Sequence, residues 1–191
     1  MEPTWFFIPR ALRGLMIEFE VKAPVEDPQL PDRLARRGLF VGTHDQRDTY
    51  YRHPGRDFGT TDEALRLRRV DDRAELTYKG PKLDAHTKAR REITTQVPDP
   101  EAMDEILQAL GFEPVASVRK HRRSFQVDRF EVDLDEVEGL GMFVEVEVMV
   151  PDEREFDSLR SQIFQLLADL GAGTPERRSY LELLLLKEGR R

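Results

Sequence analysis

Polar and apolar residues alternate with a period of two along most of this chain, the pattern of strands with one face buried. Ile17, Phe19 and Val21 fall on one side of the first such segment, Ile17–Ala23, and Glu18, Glu20 and Lys22 on the other. Ala64–Val70 sets Leu65 and Leu67 against Arg66 and Arg68, and Ala74–Lys79 sets Leu76 and Tyr78 against Glu75, Thr77 and Lys79. Lys88–Val97 carries Arg90, Glu92, Thr94 and Gln96 on one face, and Ser117–Asp128 carries Lys120, Arg122, Ser124 and Gln126. Arg129–Val137 opposes Phe130, Val132 and Leu134 to Glu131, Asp133 and Asp135; Phe143–Met149 opposes three valines to Glu145 and Glu147. Thr43–Tyr51 completes eight predicted strands.

Helical signals are fewer. Pro28–Gly38 reads as one helix. Asp99 is placed to cap a second, with Pro100 in its first turn and Gly111 at its end. Asp152 and Glu155 resemble a capping box opening a helix to Leu170, stopped by Gly171. A fourth is predicted from Thr174-Pro175 to near Lys187, and His53–Asp62 and Gly80–Thr87 read as loops. Most gaps between strands are too short for helical crossovers, so antiparallel pairing is favoured, and eight strands can close into a barrel without edges. The predicted class is α+β: an eight-stranded antiparallel barrel with helices packed outside.

The polar faces are sorted by sign. Glu18/Glu20, Asp133/Asp135 and Glu145/Glu147 are acidic pairs; Arg66/Arg68, Lys79 and Lys120/Arg122 are basic. Like charges at i and i+2 project together and repel, so each pair requires a partner of opposite sign. A solvated outer face explains any one charged row; it does not explain the sorting. If helices cover the apolar faces from outside, the charged rows line the interior. An unpaired charge there costs several kcal/mol, so the lining must be wet, mutually paired or filled by ligand and ions. A polyphosphate with divalent metal suits both signs: carboxylates are hard ligands for Mg²⁺ or Mn²⁺, and Lys and Arg hold phosphate oxygens.

Composition narrows the alternatives. The 191 residues allow one ordinary domain. A net charge of -7 argues against a general nucleic-acid surface, and no run is long enough to span a membrane. The absence of Cys removes thiol chemistry and suits a cytoplasmic location. There is no phosphate-binding Gly-rich loop, no dinucleotide fingerprint and no His-Glu-x-x-His zinc motif; His44, His53, His86 and His121 are scattered. Residues 1–15, with Trp5-Phe6-Phe7-Ile8, read as a loose N-terminal extension before a single domain over 16–191.

Glu18-Phe19-Glu20-Val21-Lys22 resembles the E-x-E-x-K signature of the CYTH superfamily, the triphosphate tunnel metalloenzymes. The ordered series behind it strengthens the likeness: Asp48-Thr49-Tyr50-Tyr51, Arg66-Leu67-Arg68, Lys79, Arg90-Arg91-Glu92, Lys120-His121-Arg122, Asp135 before Gly139-Leu140-Gly141, and Glu145-Val146-Glu147. The stretches TDEALRLR, LTYKGPK and LDEVEGLGMFVEVE look most like the class IV adenylyl cyclase branch. One departure stands out: the His-Phe pair that precedes the signature in some bacterial class IV cyclases is replaced by Arg13-Gly14-Leu15-Met16.

The resemblance implies a tunnel barrel with a two-ion site for Mg²⁺ or Mn²⁺, in which Glu18, Glu20, Glu145 and Glu147 ligate metal. It implies that Lys22, Arg66, Arg68, Lys79, Arg90, Lys120 and Arg122 hold a triphosphate, with Lys22 and Asp135 catalytic and Glu92 a further tunnel residue. The implied reaction converts ATP to 3′,5′-cyclic AMP and pyrophosphate. Hydrolysis of tripolyphosphate or thiamine triphosphate is the alternative, with Tyr50 or Tyr51 and Lys187 as candidates for placing water. A non-catalytic polyphosphate or nucleotide sensor is the third. The expected partner is a small-molecule triphosphate rather than nucleic acid or membrane, and a homodimer is compatible with it.

Overall fold

The structure is a computed structural model, and it describes residues 17–83 and 89–190. Residues 1–16, and with them the N-terminal extension and the departure at 13–16, lie outside the described residues, as do His86 and Lys88. Eight antiparallel strands close into a barrel in the order β1-β5-β4-β3-β2-β6-β7-β8. They are β1 Ile17–Pro24, β2 Leu39–Arg52, β3 Ala64–Val70, β4 Arg73–Lys82, β5 Arg90–Gln96, β6 Glu113–Val127, β7 Phe130–Val137 and β8 Gly141–Val150. The helices are α1 Leu30–Arg37, α2 Phe58–Thr61, α3 Pro100–Ala109, α4 Phe156–Leu170 and α5 Tyr180–Lys187. None is long and apolar enough to cross a membrane.

The period-two alternation sets what faces where. The outward residues of β1, β6, β7 and β8 form the main core with Leu30 and Leu34 of α1 and Leu159, Ile163, Leu166 and Leu170 of α4. Each such fully buried side chain contributes about 1.5–3 kcal/mol by leaving water. Leu65, Leu67 and Ala74 pack with Leu107 of α3 in a second cluster. The inner face is polar and largely charged except toward one end, where Tyr50, Val118, Val137 and Phe143 meet Tyr180 at the start of α5. Two-residue hairpins join β3 to β4 and β6 to β7, with Asp71 and Asp128 at φ 50° and 53°, a left-handed conformation that Asp tolerates better than branched residues.

The barrel has one weak seam. β1 pairs with β5 only through Ile17–Arg91 and Glu18–Arg90. Further along, its edge is taken by the chain that leaves α4. Gly173 N donates to Pro24 O at 3.0 Å, and Glu176 N to Lys22 O at 2.7 Å. This corrects the expectation of a helix from Thr174: that segment is extended because it completes β1, and α5 begins only after Ser179, whose capping box with Glu182 fixes the start.

Other boundaries also move. Gly80–Lys82 continue β4 across a bulge rather than opening a loop. The His53–Asp62 loop contains the single-turn α2, capped by Asp57. Asp152 caps a short 3-10 turn, Glu153–Glu155, ahead of α4 rather than the helix itself. The predicted C-terminal stop is as read: Gly171, at φ 74°, closes α4 with Ala172 N bonded to Leu167 O.

Candidate active site: a charged tunnel

The barrel encloses a cavity of about 1020 Å³. Its register brings the carboxylates of three strands together. Glu20 of β1 lies opposite Glu147 of β8, which lies opposite Glu131 of β7. Glu18, Glu20 and Glu147 each offer an oxygen, and these atoms lie within 4.8 Å of one another. Burial, and then the neighbouring Glu92, raise Glu18 above the ordinary carboxylate range. Burial, then Glu18 and Glu131, raise Glu147 well above it. Glu131 is pushed up to about 7, by burial and then by Asp133. This is a strongly negative pocket whose carboxylates oppose one another's ionisation.

The chemistry of this donor set fits a hard divalent cation. Three carboxylate oxygens at this spacing can converge on one ion at the 2.0–2.6 Å usual for Mg²⁺ or Ca²⁺. An ion would also relieve the crowding that protonation otherwise relieves. Glu145, grouped with these three in the sequence, stands apart here. Arg122 Nη2 donates to Glu145 Oε2 at 2.5 Å, with Lys120 Nζ 3.8 Å from the same oxygen.

The cations fall into two groups. Lys120 and Arg122 of β6 are buried against Asp133, Asp135 and Glu145. Arg122 forks onto Asp135 with two bonds of 2.7 Å and also pairs with Asp133; Lys120 Nζ reaches Asp135 Oδ2 at 2.8 Å. Burial lowers the ammonium of Lys120, and the adjacent Arg122 lowers it further. Asp135 is held below its usual range, because Arg122 and Lys120 outweigh the penalty of its burial.

The second group, on β3, β4 and β5, lines the same cavity as the first. Arg68 donates two bonds of 2.7 Å to Asp48, whose carboxyl is held far below the usual range even though it is buried. Lys79 pairs with Glu92 and lies 3.9 Å from Glu18. Arg90 lies 3.7 Å from Asp62. Arg66 is loosely held: 3.9 Å from Asp48, 3.6 Å from Glu75 and 3.4 Å from Thr77 Oγ1, with its buried Nε lacking a hydrogen-bond partner. A guanidinium that lines a cavity and is held by no close carboxylate is fitted to receive an anion.

Lys22 and Asp135 sit deeper than the cavity wall, and neither is exposed. Lys22 Nζ donates to Arg178 O at 2.7 Å and lies 3.8 Å from the centre of the Tyr180 ring. Tyr50 faces inward beside Arg66, but Tyr51 points outward into the α3 cluster, where its hydroxyl donates to Asp104. Lys187 Nζ donates to Gly139 O outside the tunnel. The Tyr51 hydroxyl is thus committed to Asp104, and the Lys187 ammonium to the Gly139 carbonyl.

Several lining groups carry no role in the motif series. Glu131 shares the alternation of Asp133 and Asp135, and that was its available signal. Asp62 and Tyr180 come from outside the strands, so no periodicity marks them. Asp62 Oδ2 accepts from Lys82 N, and Tyr180 enters from α5. His44 and His121 pair with Asp71 and Asp45 toward the surface, away from the carboxylate cluster.

The family model of the CYTH domain matches residues 16–180. The chain belongs to the CYTH family. A relative from Methanocaldococcus jannaschii, named "Putative adenylate cyclase MJ0240", is 38% identical over 172 residues, covering 88% of this chain and 98% of the relative. "Adenylate cyclase CyaB" of Aeromonas hydrophila is 27% identical, over 76% of this chain and 75% of its own. Among solved structures, the PH1819 protein of Pyrococcus horikoshii OT3 is 40% identical and superposes with a TM-score of 0.85, covering 89% of this chain and 99% of its own. The CYTH match supports an enzyme of this family. The acidic cluster is in keeping with the metal dependence of the family.

Proposed function

We propose that this CYTH protein is a metal-dependent adenylyl cyclase, converting ATP to 3′,5′-cyclic AMP and pyrophosphate. The observation that carries the reading is one juxtaposition in one cavity: the three-carboxylate cluster of Glu18, Glu20 and Glu147 beside the loosely held Arg66 with Arg68, Lys79 and Arg90. The names of the two curated relatives support the choice of reaction.

In this reading the second cation group of the tunnel holds the β- and γ-phosphates. Arg66 offers its guanidinium, while Arg68 and Lys79 neutralise charge tethered to Asp48 and Glu92. The 3′-hydroxyl oxygen attacks the α-phosphorus in line with the departing bridging oxygen, and pyrophosphate leaves with its added charge already matched by these cations. Glu18, Glu20 and Glu147 would hold a divalent ion, which would supply charge neutralisation at the α-phosphate and lower the pKa of the attacking hydroxyl. Little else is asked of the protein, because phosphoryl transfer depends chiefly on positioning and electrostatics.

Product analysis tests the proposal. Purified protein is incubated with Mg²⁺ or Mn²⁺ and either ATP or tripolyphosphate, and the products are separated by anion exchange. Cyclic AMP with stoichiometric pyrophosphate is the expected result. ADP and orthophosphate from ATP, without cyclic AMP, would refute the cyclase. Orthophosphate from tripolyphosphate would then place the protein among phosphohydrolases, with the same groups in the same binding roles.

A further inference from the structure

Helices α1 and α4 cover the outer wall of the barrel over β1, β7 and β8, and α3 covers part of β3. The middle of β2 and β6 stays open. Thr43, Asp45 and Arg47 of β2 and Ser117, Arg119 and His121 of β6 are exposed there, on the face opposite the tunnel residues Gln46, Lys120 and Arg122.

Strand register sorts the charges of this face into rows. Arg47 lies directly opposite Arg119 on one side and Arg69 of β3 on the other. One step along, Asp45 lies opposite His121, and His121 opposite Glu136 of β7. Beyond the acidic row come Thr43 and Arg123; beyond the basic row come Thr49 and Ser117.

Like charges directly opposite on a sheet repel, and little within the chain offsets that here. Arg69 is taken by Glu101 and Pro100 O of α3. Arg119 has Glu138 only at 4.0 Å. Among the described residues the Arg47 guanidinium meets only the Ser117 hydroxyl, at 3.4 Å. Asp45 touches His121, yet its side chain is 85% exposed and keeps an oxygen for another donor.

The alternation of rows decides which partner fits. An extended polyanion laid along the strands would meet the acidic row one step from the arginines. A second copy of this chain meets no such conflict. Turned over about a twofold axis that lies in the interface, parallel to the rows and between them, it sets its acidic row on the first copy's basic row and the reverse. Arg47 then faces the other copy's Asp45, and Thr43 and Arg123 face the other copy's Thr49 and Ser117. Packed sheets lie about 10 Å apart, a gap that an extended arginine and a facing carboxylate span together.

We propose that the outer face of β2 and β6 is a self-association surface, on which two copies of this chain pair about a twofold axis with Arg47 of each against Asp45 of the other. The tunnel lies on the opposite side of the same strands, so self-association does not depend on the triphosphate chemistry.

Sedimentation velocity over a concentration series tests this with wild type, Arg47→Glu, Asp45→Arg and an equimolar mixture of the two variants. Wild type is expected to dimerise at low salt and to associate at least about tenfold more weakly in about 0.5 M NaCl, because its contacts are charged and screened. Each variant alone sets like charges together at two symmetric places and is expected to associate at least about 100-fold more weakly than wild type. Mixed, the two are expected to form a heterodimer, since the reversed charge of one meets the reversed charge of the other and the two unaltered residues meet in the symmetric contact. Both positions are exposed, so both variants should melt close to wild type.

A wild type that stays monomeric at low salt overturns the proposal. So does a dimer that both variants preserve, which would lie on another face. A mixture that remains monomeric also overturns it, because the loss in each variant would then be a general charge effect and not a broken Arg47–Asp45 contact.

Discussion

Replacing Glu147 by Gln probes the carboxylate cluster from two opposite directions. Two carboxylate charges 4.8 Å apart, the outer limit of the cluster, repel by about 3 kcal/mol at an effective dielectric constant near 20. Glu147 faces Glu18 and Glu20 at this range and is further raised by Glu131. Without metal, the wild type relieves that repulsion by taking up a proton, which becomes harder as the pH rises. Gln relieves it without a proton and keeps the shape. At pH 8 in EDTA, Glu147→Gln is therefore expected to be more stable than wild type by about 2 kcal/mol, or roughly 4–8 °C in melting temperature for a chain of this size.

With Mn²⁺ the order reverses. An ion at about 100 times its Kd stabilises the folded wild type by about 2.7 kcal/mol, and the variant, short of one anionic ligand, gains little. Thermal melts of both proteins in EDTA and in Mn²⁺ give the four numbers needed. A variant that melts below wild type in EDTA, or that rises equally with Mn²⁺, would refute the assignment and make the three carboxylates structural. Activity of Glu147→Gln should be lost in either case, so the melts decide the point.

Other perturbations separate the remaining roles. Arg66→Ala removes a loosely held guanidinium and should weaken tripolyphosphate binding by roughly 10- to 100-fold, on the scale of charge-assisted hydrogen bonds, while orthophosphate competition changes less; equal loss for both, measured by titration calorimetry, would contradict its placement on the polyphosphate. Glu131 makes the metal-free protein lose stability on the alkaline side. Its folded value, about 7, is above the ordinary 4.5, so the folded state binds the proton more tightly. The contribution is full below about pH 4.5 and fades as the pH rises through about 7, a change of roughly 3 kcal/mol. Urea midpoints in EDTA between pH 5 and 8 should fall more steeply for wild type than for Glu131→Gln; parallel curves would exclude Glu131 as the source.

The period-two alternation was enough to sort every inward charge from every outward apolar residue. Cβ atoms on a regular strand alternate, so the tunnel-facing set of Glu18, Glu20, Arg66, Arg68, Lys120, Arg122, Glu145 and Glu147 was legible before any fold. Antiparallel pairing followed from short gaps, and closure from the removal of strand edges that eight strands allow. The sequence could not say which charges would meet. That depends on strand register and on the stagger of a closed barrel, both of which are set jointly by all eight strands. Register placed Glu147 beside Glu20 and left Glu145, only two residues away, to Arg122.

Local pattern was equally silent on groups delivered from elsewhere in the chain. Asp62 comes from a turn in the left-handed conformation, Arg178 O and the Tyr180 ring come from the C-terminal chain, and Thr174-Pro175 looked like a helix start until β1 required an edge partner. Side-chain parity is a property of neighbouring residues and can be read along the chain. The carboxylate cluster joins Glu18 and Glu20 to the distant Glu147, and the Lys22 ammonium meets the equally distant Tyr180 ring, and only the tertiary structure decides such meetings.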